Sequence, residues 1–146
     1  MGQLLDNPSM LWTDDLTVGS PAIDARNRQL FTRLAGAETM IASSSSEHLE
    51  QWLVQMFDEF EATLAAEESE LATIGYPELD FHRRMHERGL NIIRTSRMQI
   101  ARSHNGTWVE AIARDTCSAL SVWMMRHVIE ADKLFVPYID ARFRDG

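Results

Sequence analysis

His82 and His86 stand four residues apart in the stretch Gly-Tyr-Pro-Glu-Leu-Asp-Phe-His-Arg-Arg-Met-His-Glu-Arg, residues 75–88, just inside an expected helix start. Imidazoles at i and i+4 leave one helix face with their Cβ atoms about 5–6 Å apart, a separation that one metal ion can bridge. The pair becomes a site only if other helices bring ligands to the same depth. His127 follows Trp123 by one turn, and Asp132 comes five residues later. Glu67 lies one turn after Thr63 and one turn before Leu71, on a stripe with Phe60 and Leu64. Three imidazoles from two helices and two carboxylates from two helices form a borderline donor set suited to iron, zinc or manganese, and helix bundles build such sets in their cores. His48 and His104 fall at a helix start and in a turn, so they are expected at the surface.

The elements that must position these groups follow from apolar periodicity. Residues 1–19 have no helical repeat, yet Leu11, Trp12, Leu16 and Val18 predict an ordered arm on the core. Ser20-Pro21 starts a helix of about 21–42, with Ser as N-cap and Pro at the first helical position; Ile23, Leu30, Phe31, Leu34, Ala37 and Ile41 follow the helical step. The four serines Ser43 to Ser46 form a short polar linker. A second helix of about 47–73 follows, stopped by Gly75 as a left-handed cap and by Pro77. Asp80 is the expected cap of a third helix, about 80–103, and His104-Asn105-Gly106 a turn. Thr107 with Glu110 reads as a capping box for a fourth helix of about 107–132. A tail of 133–146 carries Pro137, Tyr138, Ile139 and Phe143. Four long helices joined by short turns predict one all-α domain over residues 1–146, an antiparallel up-down-up-down four-helix bundle.

Composition narrows the classes of function. At 146 residues the chain can bury a core without disulfides, and its lone Cys117 in mid-helix is expected to act as a small core hydrophobe. The net charge of −8 repels nucleic acid and anionic membrane, so neither is an expected partner. The first residues lack a charged and then apolar leader, and no run of 18 apolar residues occurs, so a soluble cytoplasmic protein is expected.

The order of these residues resembles the haemerythrin family, in its bacteriohaemerythrin-like form, from Trp12 to about Tyr138. The likeness rests on the arm Leu-Trp-Thr-Asp-Asp-Leu-Thr-Val-Gly, the segment Ile23-Asp24-Ala25-Arg26-Asn27-Arg28-Gln29-Leu30, Tyr76-Pro77 before His82-x-x-x-His86, and Trp123-x-x-x-His127-x-x-x-x-Asp132. That family holds two non-haem irons with five histidines and two bridging carboxylates, and binds dioxygen reversibly at one iron. The resemblance implies that His82, His86 and His127 serve the three-histidine iron, with Glu67 and Asp132 as the bridges. The second iron needs one histidine from each of the first two helices, and those positions are Asn27 and Thr63. Amide and hydroxyl oxygens are much poorer iron ligands than imidazole, so the second ion is expected to be weak or absent.

The resulting expectation is a non-enzymatic metal-binding protein whose site is reduced to one firmly held ion. The ion is iron, with zinc or manganese as alternatives, and it binds or senses oxygen or a related small diatomic ligand. The expected pocket walls are Leu30, Phe31, Leu64, Trp123 and Ile129. Glu59, one turn before Thr63, and Glu70, one turn after Glu67, are candidate replacement ligands for the second ion, with a solvated helix position the favoured reading of both. The alternative is a metal-free or zinc-bound interaction domain that has kept the bundle and lost oxygen binding.

Overall fold

A computed structural model describes residues 12–103, 106 and 108–139, most of them helical and joined by short turns and extended links. The expectations placed on residues 1–11, His104, Asn105, Thr107 and Phe143 lie outside the described residues. Five α-helices are α1 (Pro21–Ala35), α2 (Ala37–Ser43), α3 (Ser46–Thr73), α4 (Leu79–Arg102) and α5 (Val109–Arg126). They pack as a bundle in which α1 and α2 together make the first leg. α1 lies against α3, α3 against α4, α4 against α5, and α2 against α5.

Local chemistry sets most of the boundaries. The Ser20 hydroxyl accepts from the Ile23 N–H at 3.3 Å with Pro21 opening α1, and the Ser45 hydroxyl accepts from the His48 N–H at 3.2 Å to open α3. Only Ser44 and Ser45 separate α2 from α3, so the serine linker is shorter than the sequence suggested. Gly75, at φ +73°, ends α3: its N–H donates to Ala72 O while that of Tyr76 donates to Leu71 O, the paired bonds of a Schellman cap.

Three boundaries differ from the sequence reading. The first leg is broken at Gly36, whose φ of −89° and ψ of 4° depart from the helix between two alanines. Glu78 rather than Asp80 occupies the N-cap of α4 and makes no side-chain cap; Asp80 sits in the first turn, where its charge favours the positive helix end. Helix α5 starts at Val109 and ends at Arg126; beyond it the chain continues as a π turn over His127–Ala131 and a 3-10 turn over Asp132–Phe135.

Two apolar clusters divide the interior. The larger includes Leu30, Phe31 and Leu34 of α1, Met56, Phe57, Phe60 and Leu64 of α3, Ile93 of α4, and Leu120, Met124 and Val128 near the end of the last leg. The smaller gathers Val18, Ile23, Leu71, Tyr76, Phe135 and Ile139. Each such buried side chain contributes about 1.5–3 kcal/mol through removal from water. Between the clusters lies a polar layer. Asn27 is flanked by Ile23 and Leu30, Glu67 by Leu64 and Leu71, and Asp132 by Val128 and Phe135, each pair spanning from one cluster to the other.

Candidate metal centre

Every leg contributes a buried polar side chain to this layer: Asn27 from α1, Thr63 and Glu67 from α3, His82 and His86 from α4, and His127 with Asp132 from the end of the last leg. The two histidines of α4 reach the same depth because i and i+4 share a helix face. His127 and Asp132 need a different device. Five residues along a regular helix turn the side chain by roughly 140° from the first, which would aim one of the pair at solvent. The π turn corrects this: the Asp132 N–H donates to the His127 carbonyl across five residues, widening the turn so that both side chains face inward.

The donor atoms of Glu67, His82, His86 and His127 all lie within 4.8 Å of one another. All three imidazoles point Nε2 at this point. Glu67 Oε1 is 2.6 Å from His82 Nε2, 3.0 Å from His86 Nε2 and 3.6 Å from His127 Nε2. His86 Nε2 and His127 Nε2 are 3.1 Å apart. Asp132 Oδ1 lies 3.0 Å from His127 Nε2 and 3.3 Å from His82 Nε2, yet neither Asp132 oxygen has a partner of hydrogen-bond geometry, and the residue is wholly buried.

Burial works against charge on Glu67, but the imidazoles of His127, His82 and His86 outweigh it and hold its carboxyl well below the usual range. Burial likewise opposes charging His127, and the carboxylates of Asp132 and Glu67 override it, pushing its pKa up to about 9; His82 is raised for the same reasons.

These residues fit a cation. A wholly buried carboxylate without a hydrogen bond is costly unless a positive charge meets it, and two carboxylates beside neutral imidazoles balance a divalent ion. Donor separations of 3.0–3.6 Å among Glu67, His86, His127 and Asp132 are those of neighbouring ligands whose bonds to one ion are about 2.0–2.2 Å.

Other side chains support the donors, and the sequence reading overlooked several. Glu68 turns inward enough to meet His86 Nδ1 through Oε2 at 2.9 Å, while its Oε1 accepts from Arg83 Nε at 3.1 Å. A carboxylate on Nδ1 keeps the proton there and leaves Nε2 as a donor atom for a metal. Its only sequence signal is its place in the acidic run Glu67-Glu68-Ser69-Glu70, where most carboxylates must face water. Trp123 stacks on His127 with centroids 4.6 Å apart and planes 13° apart, and Tyr76 and Phe135 lie edge-on to His82 at 6.3 and 5.6 Å.

Of the expected pocket walls, Leu30, Phe31 and Leu64 are buried in the larger cluster. Ile129 is 51 % exposed and forms no wall, because the π turn carries it to the outer side. Asn27 and Thr63 are buried, and Asn27 Nδ2 has no hydrogen-bond partner. Glu59 pairs instead with Arg33 at 2.8 Å, and Glu70 accepts from the Ser20 hydroxyl, so both carboxylates are engaged by α1.

Comparison with known proteins agrees with this geometry. The sequence model of the Hemerythrin HHE cation binding domain matches residues 18–139. The chain is also 23% identical over 132 residues to a protein named Bacteriohemerythrin from Stenotrophomonas maltophilia (strain R551-3), covering 90% of this chain and 82% of that one. Among the described residues, no helix is long and apolar enough to cross a membrane. With a helical bundle, a buried His and carboxylate layer at its core and the domain match across most of its length, the chain belongs to the haemerythrin family.

Proposed function

We propose that this protein holds one non-haem metal ion, iron, on His82, His86, His127, Glu67 and Asp132, and binds or senses oxygen or a related small molecule there. The observation that carries the reading is the asymmetry of the polar layer. The buried imidazoles and carboxylates gather around one point, whereas α1 and the preceding turn of α3 offer only Asn27 and Thr63. An amide oxygen and a hydroxyl compete poorly with imidazole for iron, which favours a single firmly held ion.

When bound, the ion supplies a Lewis-acidic, redox-active centre for a small ligand. The chain supplies the rest. Glu67 and Asp132 neutralise the charge, and Glu68 sets the His86 proton on Nδ1. Trp123, Tyr76 and Phe135 keep bulk water from the imidazole faces. The reading includes no covalent catalysis by Cys117, because burial pushes that thiol up to about 12.

Elemental analysis of protein expressed in iron-supplemented medium tests the proposal: about one iron per chain is expected, abolished in His86→Ala. Two tightly bound irons with a di-iron charge-transfer spectrum would overturn the mononuclear site. The alternative, a metal-free or zinc-bound interaction domain, rests on the same two substitutions, Asn27 and Thr63, at the positions where imidazoles would serve a second ion. A melting curve indifferent to chelator would favour the metal-free form, and zinc in the iron-supplemented preparation the zinc form.

A further inference from the structure

On the outer surface of the bundle, a groove of about 450 Å³ runs between α4 and α5. Its charge is opposite to that of the protein. Arg84 and Arg88 line it from α4 and Arg126 from α5, against the single carboxylate of Glu130, in a chain of net charge −8. Along α4 and α5, Arg83 is paired with Glu68, Arg94 with Glu87, Arg97 with Asp58 and Glu61, and Arg114 with Glu38, whereas Arg102 near the end of α4, like Arg26 and Arg28 of α1, meets no carboxylate among the described residues. Among the described residues, no carboxylate pairs with Arg84, Arg88 or Arg126; Arg84 Nε reaches only the Asp80 carbonyl, at 3.5 Å.

The groove is also apolar. Phe81 and Val122 line it while 49 % and 59 % exposed, and Trp123 contributes its half-buried indole. Large exposed apolar side chains beside unpaired guanidiniums describe a complement with an apolar body and an anionic head. On the α4 side the lining runs from Phe81 to Arg88, roughly 12 Å at the helical rise per residue. That is short for an amphipathic helix, which anchors over several turns, and the volume falls in the range of small-molecule pockets.

We infer that this groove binds a small organic anion with a flat apolar body, an aryl carboxylate or similar, clamped between Arg84 and Arg88 on one wall and Arg126 on the other. His127 lines the groove as well as the donor cluster, and Trp123 joins the two by stacking on it at 4.6 Å. An anion seated here therefore touches the metal centre from outside without entering it. The inference does not depend on which metal, if any, the centre holds.

The test is a titration of 15N-labelled protein with 1-naphthoate, read at the Trp123 indole Nε1–H signal, which is assigned by its loss in Trp123→Phe. A saturable shift is expected, with the neutral analogue 1-naphthalenemethanol binding roughly tenfold more weakly, since two or three partly solvated ion pairs are lost. The double variant Arg84→Ala/Arg88→Ala and, separately, Arg126→Ala on the opposite wall should each weaken 1-naphthoate several-fold while leaving the melting temperature unchanged. Equal binding of the neutral analogue, unaltered affinity in both variants, or absence of a saturable shift would overturn the assignment. So would a shift produced by poly-L-glutamate but not by 1-naphthoate, which would make the groove a docking surface for an acidic protein.

Discussion

Glu67 and Glu68 are neighbours in sequence and divide the work at the centre. Glu67 enters the donor cluster, and Glu68 reaches the far nitrogen of His86 while held by Arg83. Removing such an outer carboxylate costs about 10–100-fold in metal affinity without touching a ligand. Glu68→Ala is therefore expected to weaken metal binding by about that factor in a competitive chelator titration, with helical content unchanged by circular dichroism. Glu68→Gln should recover part of the loss, because an amide oxygen accepts the same Nδ1–H. Long-range 15N–1H correlation of the imidazoles should show His86 protonated on Nδ1 in the parent and redistributed in the alanine variant.

At the scale of elements, the close approach of α4 to α5 depends on Gly89. A Cβ there would lie 3.0 Å from three ring carbons of Trp123, the indole that stacks on His127 and packs 5.9 Å from Phe60. Alanine is intrinsically better than glycine inside a helix by about 1 kcal/mol, so an isolated helix would gain from Gly89→Ala. In the bundle the ring has to give way, and it is already held on other sides. We expect Gly89→Ala to lower stability by about 1–2 kcal/mol in urea denaturation and to weaken metal binding through the displaced His127. A stabilised variant with unaltered metal affinity would show that Trp123 moves freely and does not position the histidine.

For the whole molecule, protons and metal compete for the same layer. In chelator-treated protein, His127 has a pKa of about 9 against an ordinary value of 6.5, so its contribution to stability is full below pH 6.5 and is lost as the pH rises through about 9. Glu67 is depressed, so its contribution is present above the ordinary carboxyl value of 4.5 and lost on acidification. The chelated protein is expected to melt several degrees lower at pH 9 than at pH 6.5, and the metal-loaded protein to lose most of that dependence, as checked by scanning calorimetry. Loading at a hundred times the dissociation constant should add about 2.7 kcal/mol, a shift of roughly 5–10 °C for a chain of this size. Cys117 reports on the same cooperative unit. Its buried thiol, pushed up to about 12, should react with a disulfide reagent only as fast as the bundle opens.

The sequence by itself determined the bundle and the caps at Ser20 and Gly75, and it singled out Glu67, His82, His86 and His127, whose donor atoms the fold brings within 4.8 Å of one another. Helical periodicity and cap chemistry act within a few residues, and ionisable groups in step with apolar ones mark an inward face. Only the tertiary structure decided how those residues meet. Whether five residues from His127 to Asp132 close on one face depends on a π turn, which carries no local sequence signal, and the same turn sends Ile129 outward. The inward turn of Glu68 and the contact of Gly89 with Trp123 are likewise settled by the helix on the other side, to which a single helix's pattern is blind.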